Sequence, residues 1–382
     1  MIYLDNAATT LQKPKAVIKA AHKYNKSLSA NPGRSGHKAA FKAAQVVFEC
    51  RESLRQLFNA KDSENIIFTK NCTEGLNIVI QGILKENEHC VISCFEHNSV
   101  LRPVKALEKC GVTFTIADFY EKDEQATKRE FENAITPTTK LFICTHASNV
   151  FGVLNPIKQL GKLCKEKGIL FCVDAAQTAG VVPIDVQGDN IDFLCMPGHK
   201  GLYGPMGTGV LILNSEVLPQ PLMQGGTGSL SLMQEQPQIL PDCYESGTLN
   251  VPGIAGLQKG VEFVQKTGVQ NILQHEIKLL QIAYDNLSHL HEIKLHTHRP
   301  HIDSCSPVLS FSSTLTDSED FASYLEGEHN IAVRAGLHCS PLAHKKMGTL
   351  KQGTVRISPS FFTTQEHIFK FIKAVEAFEH SQ

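Results

Sequence analysis

The sequence predicts an α/β protein in which a large unit, built on a mostly parallel sheet flanked by helices, is followed by a smaller α+β unit. Three observations carry that prediction. Between residue 14 and about residue 250, short apolar runs rich in β-branched residues alternate with longer segments of helical period. Beyond Val251-Pro252-Gly253, a long amphipathic stretch leads into roughly 120 residues of mixed character, a normal domain size. The chain is 382 residues long, enough for two packed units with a sizeable interior.

Taken in order, the strands of the large unit are expected at 65–69 (NIIFT), 90–93 (CVIS), 112–116 (VTFTI), 140–145 (KLFICT), 169–173 (ILFCV), 191–195 (IDFLC) and 208–213 (TGVLIL). Helices are expected at 38–58, 73–84, 100–109 and 156–167. The last opens on a proline at a first helical position and stops before Gly168. In the smaller unit the expected strands lie near 307–312 and 354–358, and the closing helix spans 365–378. Residues 1–13 are expected to pack on the small unit, 14–255 to form the large one and 256–382 the small one. No internal repeat or long charge run interrupts this pattern.

Composition narrows the function. Apolar residues make up 42% and charged residues 20%, and 37 basic against 38 acidic groups leave a formal charge of −1. That argues against a disordered tail and against a nucleic-acid protein driven by bulk positive charge, so a small-molecule partner is expected. The twelve cysteines are scattered within apolar runs, as buried thiols are in a reduced cytosolic protein. The opening MIYLDNAATT has an acid and no basic region, and no apolar stretch reaches the roughly 18 residues of a membrane span. The expected location is the cytoplasm, away from membranes.

In an open parallel sheet, ligands bind beyond the carboxyl ends of the strands. Three strand ends stand out. The run ILFCV is followed at once by Asp174, a carboxylate just past an apolar strand, although such a residue also caps turns. The run IDFLC leads into Pro197-Gly198-His199-Lys200-Gly201, where a lysine among glycines suits an amine nucleophile of lowered pKa. The glycines that follow match neither the dinucleotide nor the Walker phosphate fingerprint. NIIFT gives way to Lys70-Asn71-Cys72-Thr73, where a helix start attracts phosphate, although Asn71 or Thr73 also suits an ordinary N-cap. An imine-forming lysine, a strand-end aspartate and a phosphate seat are together what pyridoxal 5'-phosphate requires.

With these residues in view, the chain resembles a fold-type I pyridoxal-phosphate enzyme of the class V aminotransferase superfamily, and more closely the cysteine desulfurase and selenocysteine lyase family. YLDNAATT, NCTEGLN, CFEHNSV, ASNVFG, VDAAQTAG, PGHKGLYGP, ESGTLN, RAGLHCSP and GTVRIS carry the likeness, in that order, over nearly the whole length. The resemblance implies Lys200 as the Schiff-base lysine, Asp174 as partner of the ring nitrogen, Gln177 on the ring hydroxyl and His97 stacked on the ring. It implies that Cys72, Thr73, His199 and, from the second subunit of a homodimer, Thr248 meet the phosphate. Ala7, Asn149 and Arg356 fall to the substrate, Asn149 also lining the cofactor, and the arginine fork suits a carboxylate. Cys339, between His338 and Ser340 in a segment that reads as a mobile loop near Arg334, matches the sulfur-accepting nucleophile; Lys200, Cys339 and His97 form the catalytic set.

The implied reaction converts L-cysteine to L-alanine, with the sulfur passed to the enzyme as a persulfide and then to an unidentified acceptor. Selenocysteine lyase and class V aminotransferase or epimerase activity are the alternatives. Three positions depart from many relatives: Pro197 stands where a serine is common, Gly201 is an insertion, and Cys72 offers the phosphate only its backbone. No metal is expected. Cys90, Cys94 and His97 resemble half a zinc site but lack a second pair, and His291, His296, His298 and His301 read as a solvated turn.

Overall fold

The structure is a computed structural model describing residues 1–27, 30–32, 36–121 and 123–381. Strand β1 (Ile2–Tyr3) precedes helices α1 (Lys15–Ser27) and α2 (Lys38–Phe58). Then come β2 (Ile66–Thr69), α3 (Cys72–Ile83), β3 (His89–Ser93), α4 (Asn98–Leu107), β4 (Thr113–Ala117), α5 (Glu124–Asn133) and β5 (Thr139–Thr145). The large sheet is completed by α6 (Ile157–Lys167), β6 (Leu170–Asp174), β7 (Phe193–Pro197) and β8 (Gly209–Leu213). Helices α7 (Val251–Thr267) and α8 (Val269–Leu287) lead to β9 (Ile293–Leu295), β10 (Leu309–Ser313), α9 (Ser318–His329), β11 (Ile331–Ala332), α10 (Pro341–Lys346), β12 (Val355–Ile357) and α11 (Gln365–Ser381).

The seven-stranded sheet runs β2-β8-β7-β6-β5-β3-β4. Every neighbouring pair from β4 to β7 is parallel, and β8 alone runs antiparallel to both of its neighbours. The predicted mostly parallel sheet is therefore the one formed. Its inner strands β6, β7 and β8 are almost wholly apolar because both faces are covered, whereas β4 at the edge leaves Thr113 and Ile116 exposed. On β5, Phe142 and Cys144 point to the side packed by α2, α6 and α7, whereas Leu141 and Ile143 point to the side packed by α3 and α4.

A second core gathers Leu279 and Leu287 of α8, Phe311 of β10, Val355 and Ile357 of β12 and Phe371 of α11. The three-stranded antiparallel sheet β12-β10-β9 is its floor. Leu4 is fully buried in this core and β1 pairs in parallel with β11, so the first residues are held against the C-terminal region. Burying one leucine is worth about 1.5–3 kcal/mol. This docking places Asp5 and Ala7 beside the carboxyl ends of the large sheet. Helix α7 runs unbroken through residues 255 and 256, and its Ile254, Leu257 and Val261 join the core of the large sheet.

Candidate active site

The site starts from Asp174, the last residue of β6, which is buried. Its Oδ1 accepts from the backbone N–H of Ala176 at 2.8 Å and from the thiol of Cys72 at 3.4 Å. Cys72 opens α3, whose N-cap is Asn71: the Asn71 side chain accepts from the N–H of Glu74 at 2.9 Å. Asn71 thus takes the capping role, and the earliest N–H groups of the helix, those of Cys72 and Thr73, carry its positive end toward the same space. Thr73 is exposed.

Lys200 follows β7. Burial, with Arg356 and Arg334 nearby, lowers its amine to about 8 against the opposing pull of Asp174. The turn is fixed from the N-terminal segment: Thr10 Oγ1 donates to the Lys200 carbonyl at 2.8 Å, and Lys13 Nζ to the His199 carbonyl at 2.9 Å. The His199 ring lies 3.0 Å from Thr9 Oγ1 and stays neutral, its pKa lowered to about 4 by burial and by Lys200 and Lys13. Gln177 Nε2 donates to the Ala7 carbonyl at 3.1 Å, and the Ala7 N–H donates to Ser358 Oγ at 2.8 Å.

His97 is the N-cap of α4, and its Nδ1 accepts from the N–H of Ser99 at 3.0 Å. The ring proton therefore sits on Nε2. Burial lowers its pKa, Asp174 opposing and Lys200, Arg334 and Arg102 reinforcing the effect. Beside it Glu96 is fully buried, with Oε1 accepting from Ser93 Oγ and from the N–H of Thr145, and burial raises its pKa to about 8.

The remaining residues form a chain of contacts. Arg356 is 1% exposed; its Nη2 meets Asp5 Oδ1 at 2.6 Å and its Nη1 donates to the Asn149 carbonyl at 2.7 Å. The Asn149 side chain donates from Nδ2 to the His338 carbonyl at 2.8 Å and accepts on Oδ1 from Ser340 Oγ at 2.6 Å. Cys339, held between those contacts, is exposed, and its Sγ lies 3.9 Å from Arg334 Nη2. The segment is a loop, as its sequence indicates, and is tied down at several points.

Lys200, Asp174, Cys72, His97, Asn149, Arg356 and Cys339 thus form one connected set with Ala7, Gln177 and His199. Thr248 stands apart: it is exposed, accepts from Asn31 Nδ2 at 3.2 Å and lines a separate cavity of about 390 Å³ with Thr69, Glu74 and Gly207. Ten cysteines are buried and only Cys110 and Cys339 are exposed, all twelve being free. The histidine cluster disperses, with His296 bonded to Ser312, His298 to Glu121 and His301 near Asp303. Among the described residues no group of three ligating side chains could hold a metal, and no helix is long and apolar enough to cross a membrane.

Residue-by-residue reading missed Asp5, Glu96 and Lys13. The first two lie inside quoted motifs, YLDNAATT and CFEHNSV. Lys13, lowered to about 8 by burial, has no local signal because only the docking of the N-terminal segment brings it to His199.

The fold and this set define a class. Residues 2–371 match the family model for class-V aminotransferases, and the chain belongs to that family. Within it, the chain is 36% identical to a protein of Pyrococcus abyssi described as a probable cysteine desulfurase, over 98% of this chain and 94% of that one. It is 33% identical to a counterpart of the same description in Methanothermobacter thermautotrophicus, over 96% and 92%. The structure superposes on the cysteine desulfurase of Thermococcus onnurineus with a TM-score of 0.90 at 31% identity, covering 100% of this chain and 95% of that one. For the Escherichia coli cysteine desulfurase CsdA the TM-score is 0.86 at 28% identity, with 98% and 94% covered.

Proposed function

We propose that this chain is a pyridoxal-phosphate-dependent cysteine desulfurase, acting on L-cysteine and working as a cytoplasmic homodimer. The observation that carries the reading is Cys339, an exposed thiol beside the Arg334 guanidinium, in a loop tied through Asn149 to Arg356, whose charge acts on the buried amine of Lys200. The donor chemistry fits the cofactor. Asp174 supplies a carboxylate for the ring nitrogen, Lys200 an amine of lowered pKa for the carbonyl carbon, and His97 a neutral ring. Cys72 and Thr73 supply helix N–H groups and His199 a neutral ring N–H for the phosphate, to which Thr248 of the partner subunit adds a hydroxyl. When bound, the cofactor supplies an electron sink for carbanion chemistry at Cα.

The protein's own groups do the rest. Lys200 Nζ takes the Cα proton and later returns one to carbon, a role its lowered pKa suits at neutral pH. Arg356 and Asn149 orient the substrate carboxylate. The Cys339 thiolate attacks the substrate sulfur: an S–S bond forms as the carbon–sulfur bond breaks. L-cysteine and the Cys339 thiol become L-alanine and a Cys339 persulfide, with no added oxidant.

The test is alanine release from L-cysteine by the cofactor-loaded protein, beside Cys339→Ser and with selenocysteine as second substrate. Alanine that vanishes in the variant supports the desulfurase. Selenocysteine cleavage without cysteine cleavage replaces it with the lyase, and no alanine from either substrate points to an aminotransferase or epimerase.

A further inference from the structure

We propose that Asn149 is a positioning residue for the Cys339 sulfur: its two amide ends hold the His338 carbonyl before that cysteine and the Ser340 hydroxyl after it, and keep it in a conformation the loop would not keep alone. The inference rests on the reading of Cys339 as the sulfur-accepting nucleophile. His338 and Cys339 are consecutive residues with side chains and φ of 52° and 58°, the left-handed region that disfavours a Cβ. Two such residues in succession persist only where surrounding contacts over-determine them. The contacts are present: Asn149 Nδ2 holds the carbonyl before Cys339, Asn149 Oδ1 holds the hydroxyl after it, and the N–H of Asn98 donates to the Cys339 carbonyl at 2.8 Å.

The clamp is itself anchored. Arg356 Nη1 holds the Asn149 carbonyl and is fixed in turn by Asp5, so the position of the sulfur is referred back to the buried guanidinium. Asn149 Nδ2 commits one of its two hydrogens to the loop, so the residue can hold the loop and a ligand together. A thiol on an exposed, otherwise unrestrained loop would sample many positions, and small misplacement of a nucleophile is costly to rate.

The experiment compares cofactor-loaded wild type with Asn149→Ala, Asn149→Asp and Ser340→Ala. Three readouts are taken: amide hydrogen exchange of residues 334–341, kcat for alanine release, and L-alanine affinity from the change it causes in cofactor absorbance. The expected result is faster exchange in the loop by ~10-fold with exchange in residues 170–174 unchanged. Alongside it, kcat falls at least ten-fold in Asn149→Ala, which also loses a carboxylate contact and binds L-alanine more weakly, whereas Ser340→Ala shows a smaller change in loop exchange and kcat with L-alanine affinity within about two-fold. Where Asn149→Ala does not fold, Ser340→Ala carries the comparison, since among the described residues its hydroxyl hydrogen-bonds only Asn149. Unchanged loop exchange with a weakened alanine affinity would overturn the proposal and leave Asn149 as a carboxylate ligand only. Wild type that makes no alanine from cysteine would sink the desulfurase reading instead, whatever the exchange data show.

Discussion

The thiol of Cys72 lies 3.4 Å from Oδ1 of Asp174, the carboxylate at the end of β6, and both groups are buried. A thiol is a weak donor, yet here its acceptor is a buried anion, and burial together with that anion holds the thiol well above its ordinary pKa. In the proposed cofactor complex that bond would leave Oδ2 of Asp174 for the ring nitrogen.

Removing that donor in Cys72→Ala leaves Asp174 more negative. The expected outcome is a change in the pH at which the bound cofactor's visible band titrates, with cofactor affinity altered by no more than roughly five-fold, the scale of one weak hydrogen bond. Cys72→Thr restores a hydroxyl donor and is expected to bring the titration back toward wild type. An absorbance titration indistinguishable between wild type and Cys72→Ala would show that the thiol merely packs.

The amine of Lys200 is lowered to about 8 chiefly by burial. Below that pH it carries a proton and is no nucleophile; above it, it is free. The rate at which cofactor-free protein captures pyridoxal phosphate, followed by visible absorbance, is expected to rise with pH through about 8 and then level. Lys200→Ala abolishes the covalent capture. A rate still climbing beyond pH 9.5 would mean that the amine titrates as an ordinary lysine.

Asp5 is the counter-charge of Arg356, which burial pushes below its usual pKa and Asp5 sustains. Asp5→Ala leaves a guanidinium that is 1% exposed without its carboxylate, a loss of ~3–5 kcal/mol in urea unfolding. Arg356→Ala is expected to cost less than Asp5→Ala, because the orphaned carboxylate of Asp5 retains access to water. The opposite order would place the strain elsewhere.

Glu276 of α8 is buried against Tyr203, whose hydroxyl donates to Oε1 at 3.4 Å, and burial raises its pKa from 4.5 to about 8. Between those two values the native state holds a proton that the unfolded chain has released. Stability from this group therefore falls as pH rises through the window, by up to about 1.4 kcal/mol per pH unit, and levels above 8. Glu276→Gln removes that slope, which thermal melts at pH 5, 6, 7 and 8 would reveal; parallel melting curves for wild type and variant would show that the carboxyl is ionised in the folded protein.

Much of the site is legible from order along the chain. Asp174 and Lys200 stand just past apolar strands, and in a parallel sheet that position faces the ligand whatever the details of packing. The substrate role of Asn149 is what the family resemblance of ASNVFG implies; that its amide grips the loop of His338 and Ser340 depends on a contact between distant segments. The two-residue strands β1 and β11 were not legible either, since neither has enough residues to show a period and each exists only through the other. The same holds for α5, whose polar composition hides a single buried face of Thr127 and Phe131.

The sequence by itself determined the strands of the large sheet, the helices between them other than α5, and the placement of Lys200, Asp174 and the start of α3 at strand ends. Those features follow from side-chain periodicity and chain direction, which are local. Only the tertiary structure decided how the N-terminal segment and the C-terminal region close on that sheet. It paired Arg356 with Asp5, set Asn149 as the clamp of Cys339 and left the Cys72 thiol on Asp174. Hydrogen-bond and ion-pair partners in a buried site are chosen by which groups the packed elements bring within about 3 Å, and sequence proximity carries no information about that distance.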